Sequence, residues 1–160
     1  MESLKMPEIL AGREEPGKEF WETYVQAWNE LKDRGYQLPD SFFDLGLAIV
    51  LTENSQLDPR ALGPTNDVGY FQITYPAILD VENTFQFHGD PWNPKDNIKY
   101  GLLYLFTLFH HYDIGRGGQD QINLWDLARA YHVGPKARKS PDLGLEYAKK
   151  VFQVLESLKR

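Results

Sequence analysis

The chain has 160 residues, 42% apolar and 25% charged, with a net charge of −6 and no cysteine. That balance suits one globular domain with a sizeable core and excludes disulfides and thiolate metal sites. The acidic excess argues against general nucleic-acid binding, and no apolar stretch is long enough for stable membrane insertion.

Helical periodicity organises most of the chain. From Gly17 to Arg34, the residues Phe20, Tyr24, Val25, Trp28 and Leu31 fall on one helix face, and Gly35 and Pro39 close the segment. Asp40 or Ser41 is placed to cap the next helix. Its apolar residues (Phe42, Phe43, Leu45, Leu47, Ala48, Ile49, Val50, Leu51) cover nearly every side, so this helix is buried and central. Asn54 to Asp67 is rich in Pro, Gly, Asn and Asp and reads as a loop. Val68 to Thr74 is β-prone, and Asn66-Asp67 ahead of it suits a short hairpin. After a second loop, Asn83 to Asn93, Pro94 opens a long helix with Asn93 as its cap. Gly115 to Gly118 breaks the chain, Asn123 caps a further helix, Gly134-Pro135 stops it, and Asp142 to Lys159 reads as a final amphipathic helix. With no repeat or linker, the expectation is a single mainly α domain over 1–160, a helical extension (1–40) preceding a core (41–160).

Charge is uneven along this plan. From Lys136 onward seven basic and three acidic residues give +4, against −10 for the remainder. Such an end suits contact with an anionic polymer, or is the solvated face of the last helix.

Glu53 stands out electrostatically. It closes an apolar helical run, where the helix terminus carries partial negative charge and apolar neighbours disfavour ionisation. Both effects raise its pKa, as a general acid requires. The alternative is a side chain that turns into water where the helix ends.

Four short motifs then stand in order: Glu53-Asn54; Gly69-Tyr70-Phe71-Gln72; Asn97-Ile98 with Gly101 and Tyr104-Leu105; and Ala130-Tyr131-His132-Val133-Gly134-Pro135. This series resembles the lytic transglycosylase family with the SLT domain, relatives of goose-type lysozyme. That family shows Glu-Ser, Gly-Leu-Met-Gln, Asn-Ile-x-x-Gly-x-x-Tyr-Leu and Ala-Tyr-Asn-Ala-Gly-Pro in the same order. The likeness runs roughly from Phe43 to Val151. It implies a lysozyme-like α+β fold, mainly helical, with a central buried helix and a short β-hairpin beside the cleft.

Carried over residue by residue, the resemblance implies Glu53 as the single catalytic acid/base. It implies Gln72 as a hydrogen-bond partner of the sugar and Phe71 as a cleft wall beside the scissile bond. Tyr131 would approach Glu53, and Tyr147 would be a more distant cleft-side contact. Asn54 and His132, standing where the family has Ser and Asn, join the substrate-binding set. The implied substrate is the peptidoglycan glycan strand, cleaved between N-acetylmuramic acid and N-acetylglucosamine by a monomer without metal or organic cofactor. The sugar's N-acetyl oxygen would attack the anomeric carbon, and the muramoyl 6-hydroxyl would close a 1,6-anhydro ring.

A hydrolytic outcome would need a second carboxylate to fix water. Asp58, before Pro59, and Asp67, after Asn66, fit turn or capping roles, with Asp67 the water-positioning candidate if the enzyme is a lysozyme. Thr74 stands two residues after Gln72, where goose-type relatives tend to place an Asp, which favours the non-hydrolytic outcome. A non-catalytic glycan-binding or assembly module is the third reading.

Other signals have plainer explanations. His110 and His111 are adjacent and point to different helix faces, unlike a metal pair. Gly115-Arg116-Gly117-Gly118 lacks the Lys-Ser/Thr of a phosphate loop. Tyr100, Tyr104, Phe106 and Phe109 read as core at helical spacing, while Trp92, in a loop, is the candidate for stacking on a sugar. The N-terminal residues show no basic-then-apolar secretory pattern, although the implied substrate lies in the bacterial cell envelope. A phage-encoded lysin, a virion-borne protein, or a chain already trimmed of its signal would each fit.

Overall fold

The computed structural model describes residues 4–118 and 121–158. Lys159 and Arg160, counted in the basic tail, lie outside them. The elements in order are α1 (Glu8–Ala11), α2 (Glu14–Asp33), α3 (Ser41–Glu53), α4 (Tyr75–Phe85), α5 (Pro94–His110), α6 (Leu124–Val133), a 3-10 turn (Pro135–Lys139) and α7 (Leu145–Leu158). The protein is mainly helical.

The apolar run of α3 does what its composition dictates. Phe42, Leu45, Leu47, Ala48, Ile49 and Val50 are completely buried, with α5, α6 and α7 packed around them. α2 lies along α5, where Lys95 and Lys99 reach Glu30 at 2.8 and 2.7 Å. Tyr24 of α2 is buried and donates its hydroxyl to the Phe43 carbonyl at 2.7 Å, tying α2 to α3 as well.

The caps follow the expected chemistry at two helices. Asn93 Oδ1 accepts from the Asp96 amide at 3.0 Å with Pro94 in the first turn, and Asn123 Oδ1 accepts from the Asp126 amide at 3.1 Å. At α3, Asp40 occupies the cap position without a side-chain cap bond and instead lies 3.5 Å from Lys32. Helix α4 lies where the hydropathy reading offers no element, although Thr74 caps it by accepting from the Ala77 amide and Pro76 sits in its first turn.

The expected hairpin is not seen as paired strands. Val68 bridges Leu62 and Ile73 in isolated antiparallel pairs, joined by tight turns through Gly69–Gln72. Val68 and Ile73 exchange both main-chain bonds (3.1 and 3.0 Å), but Thr74 next to them already caps α4, so the pairing has no residues to extend into. Asn97 of α5 holds the turn from outside, donating to the Val68 carbonyl at 2.8 Å and accepting from the Phe71 amide at 2.9 Å. The Phe71 amide, inside the turn, is satisfied by that side chain.

Candidate active site

The turn Gly69–Gln72 is held from three sides. The Phe71 ring is fully buried between α3 and α5, where a Cβ on Gly101 would lie 2.2 Å from it and one on Gly46 3.3 Å. Only glycine admits the ring so close to α5. The Phe71 amide is bonded to Asn97, and its carbonyl accepts the Tyr131 hydroxyl at 2.7 Å. With its neighbour so anchored, Gln72 adopts φ +48, a left-handed conformation uncommon for a non-glycine residue. Its Nε2 donates to the carbonyls of Ala61 (3.1 Å) and Gly69 (2.9 Å).

Gln72 thereby reaches a cavity of about 170 Å³ lined by Glu53, Thr65, Asp67, Gln72, Ile73, Thr74, Ala77, Tyr104, Tyr131 and His132. Glu53 is the last residue of α3. Burial pushes its carboxyl up from 4.5 to about 7, and the negative charge of Asp67 pushes in the same direction. At neutral pH a large fraction is therefore protonated. Glu53 makes no ion pair with any described residue.

Tyrosines and one histidine form the α6–α7 wall. Tyr131 is buried and its hydroxyl pKa is raised, chiefly by burial and then by Tyr147 and Glu53. Tyr147 is also raised, by burial and by Glu53, and its buried hydroxyl has no hydrogen-bond partner among the described residues. The His132 ring stacks on Tyr147 at 4.5 Å and 10°. Burial lowers the His132 pKa, helped by Lys150 and opposed by Asp67, so this imidazole is neutral at neutral pH.

Several sequence expectations meet a different geometry. Phe71 does not line the cavity, because its ring is buried in the α3–α5 contact and tilted against the Tyr131 ring at 6.1 Å. Asn54 is buried, donating to the carbonyls of Asp58 (2.7 Å) and Gly69 (3.3 Å) and accepting from the Asp58 amide (3.0 Å). It fastens the loop after Glu53 and has little left for a ligand. Tyr147 lies behind His132 and is not among the lining residues. Asp58 is a turn residue as expected, accepting from the Arg60 amide at 2.9 Å. Asp67 is not confined to a turn: it lines the cavity with Glu53, and Thr65 donates to it at 2.8 Å.

Trp92 is 48% exposed in the loop before α5 and does not line the cavity. His110 stacks on Phe106 and His111 packs edge-on against Tyr112, each in aromatic company. Among the described residues no group of His, Asp and Glu is arranged to hold a metal ion. Thr65 and Tyr104 line the cavity without having been singled out for it. Tyr104 carries a signal in hindsight, as the aromatic of the Asn97-Ile98…Tyr104-Leu105 motif, whereas Thr65 carries none.

Helices packed round a buried α3, with a carboxyl of raised pKa at its end facing a cleft, define a lysozyme-like domain. The family model for the transglycosylase SLT domain matches residues 36–150, and the protein belongs to that family. Its general activity is accordingly that of a peptidoglycan-degrading lytic transglycosylase. A search of curated proteins finds no match. Helices α1 and α2 precede the matched span. No helix among the described residues is long and apolar enough to cross a membrane.

Proposed function

We propose that the protein cleaves the β-1,4 bond between N-acetylmuramic acid and N-acetylglucosamine, with Glu53 acting first as acid and then as base. The observation that carries this reading is a carboxyl held near pKa 7 in a cavity, without a cationic partner among the described residues. Glu53 gives its proton to the glycosidic oxygen as the bond to the anomeric carbon breaks. The N-acetyl oxygen of the muramoyl unit takes that bond's place. The 6-hydroxyl then attacks the same carbon and releases its proton to the Glu53 carboxylate, restoring the acetamide and closing the 1,6-anhydro ring. A tethered hydroxyl competes strongly with solvent because its effective concentration is large. Gln72, Tyr131 and His132 are the side chains positioned to contact the sugar.

One observation favours a second reading. Asp67 lines the same cavity and its carboxylate is oriented by Thr65, which suits it to hold an attacking water. On that reading the product is hydrolytic and the protein is a muramidase. Mass spectrometry of digested peptidoglycan separates the two. Ends lighter by one water support the transglycosylase, whereas predominantly reducing ends would overturn it in favour of Asp67-assisted hydrolysis. Wild-type protein that leaves cell-wall turbidity unchanged would overturn both and leave a glycan-binding module.

A further inference from the structure

Lys150 is a charge beside His132 that the proposed chemistry does not use. It lies three residues after Tyr147 on α7, on the face where Tyr147 carries the stacked His132 ring. His132 in turn lines the cavity. The neighbouring Lys149 is already engaged, 3.2 Å from Glu146. Lys150 is exposed and forms no ion pair or hydrogen bond with a described residue. Asp67 lies on the cavity wall too, so the site has a negative group at one edge and a free ammonium beyond His132.

On the reading proposed above, the substrate has a matching asymmetry. A muramoyl unit differs from N-acetylglucosamine by its 3-O-lactyl group, which ends in a carboxylate or in a peptide that itself carries carboxylates. We infer that the α7 edge of the cavity, His132 together with Lys150, recognises a carboxylate carried by the muramoyl unit, and so separates peptidoglycan from an uncharged N-acetylglucosamine polymer. The neutral imidazole offers one donor to that group, and its flat stack on Tyr147 fixes the ring's orientation. Lys150 supplies the charge, and it is not among the groups that shift Glu53.

The test is binding to the Glu53→Gln protein, which prevents turnover. Three probes are titrated at low salt: chitotetraose, peptide-stripped muramoyl oligosaccharides with free lactyl carboxylates, and the same strands with peptide stems. Adding Lys150→Gln should weaken binding of the anionic strands about three- to ten-fold and leave chitotetraose unchanged. Lys150→Arg should retain affinity, and Lys149→Gln, with the same change in charge, should bind all three like the parent. A loss confined to stripped strands identifies the lactyl carboxylate, and one confined to stem-bearing strands identifies the peptide. Equal binding by parent and Lys150→Gln, an equal loss on chitotetraose, or no binding of any probe would overturn the inference. Cell-wall clearing by the wild type is read separately: protein that clears nothing but keeps the Lys150-dependent preference would sink the catalytic reading alone.

Discussion

At the α2–α5 seam Glu30 meets two ammonium groups at 2.7 and 2.8 Å, and its carboxyl falls from 4.5 to about 2. At the end of α3, Glu53 meets none and rises from 4.5 to about 7. The same side chain is thus kept ionised in one region and made easy to protonate in the other. The cause is not burial alone, since Glu30 also feels desolvation that its hydrogen bonds to Lys95 and Lys99 outweigh. Among the described residues the charge acting on Glu53 is that of Asp67, of the wrong sign for pairing. One region uses a carboxylate to hold helices together; the other leaves one without a cationic partner among the described residues, as the proposed proton transfer requires.

Four experiments would break or sharpen that contrast. The largest effect is expected from Glu53→Gln, which should lower cell-wall clearing by roughly 10²- to 10⁴-fold, since the amide cannot donate the proton. Its thermal unfolding should remain cooperative. An acid whose folded pKa is raised contributes most stability below 4.5 and loses it as pH climbs through 7. Glu53→Gln should therefore be more stable than wild type at pH 8, by up to about 3 kcal/mol. Clearing at the wild-type rate would remove Glu53 from the chemistry.

The second experiment is the pH–rate profile. Activity should decline on the alkaline side with an apparent pKa of about 7. Because Asp67 helps to raise that value, Asp67→Asn should move the limb to lower pH. An unmoved limb would mean that Asp67 does not act on Glu53. His132→Asn belongs in the same series, since the imidazole titrates below its usual 6.5.

Glu30→Gln is the structural counterpart. It leaves Lys99, whose side chain is 4% exposed, without its counter-charge. Glu30 itself is 40% exposed, so solvent screening reduces the penalty to about 1–2 kcal/mol in chemical denaturation, with specific activity unchanged. The smallest effect concerns acid. A carboxyl whose folded pKa is depressed contributes stability that is present above 4.5 and lost as pH falls towards 2. Wild type should therefore lose its advantage over Glu30→Gln across that window, and melts at pH 6, 4 and 2.5 should show it.

The sequence was most informative where one physical effect dominated. Apolar residues on every side of α3 could only be buried, and Glu53 at its end inherits that environment. Asn93 and Asn123 announced their helices through side chains suited to orphan amides. The resemblance to the SLT family was carried by motifs whose spacing survives in the fold, since Asn97, Gly101 and Tyr131 all converge on the Phe71 turn. What stayed hidden depended on contacts distant in sequence. The Phe71 turn is held by one side-chain amide on α5, twenty-six residues after it. Asp67 looks like a turn residue locally and becomes a cavity residue only through the folding of the loop around Thr65. Phe71 has the apolar character of a cleft wall, and nothing in its neighbours says that the two glycines that admit its ring lie far away in the chain.

Those two glycines make the distance between α3 and α5 a gauge for the cleft. The Phe71 ring is the spacer inserted in that gauge, and its carbonyl end both leads into Gln72 and accepts the Tyr131 hydroxyl. Any residue that widened the gap, at Gly46 or Gly101, would displace both walls together instead of one side chain. The aperture and the alignment of the groups on its two walls are therefore inherited as a single dimension. New specificities would come more readily from His132 and the rim beyond it than from the floor.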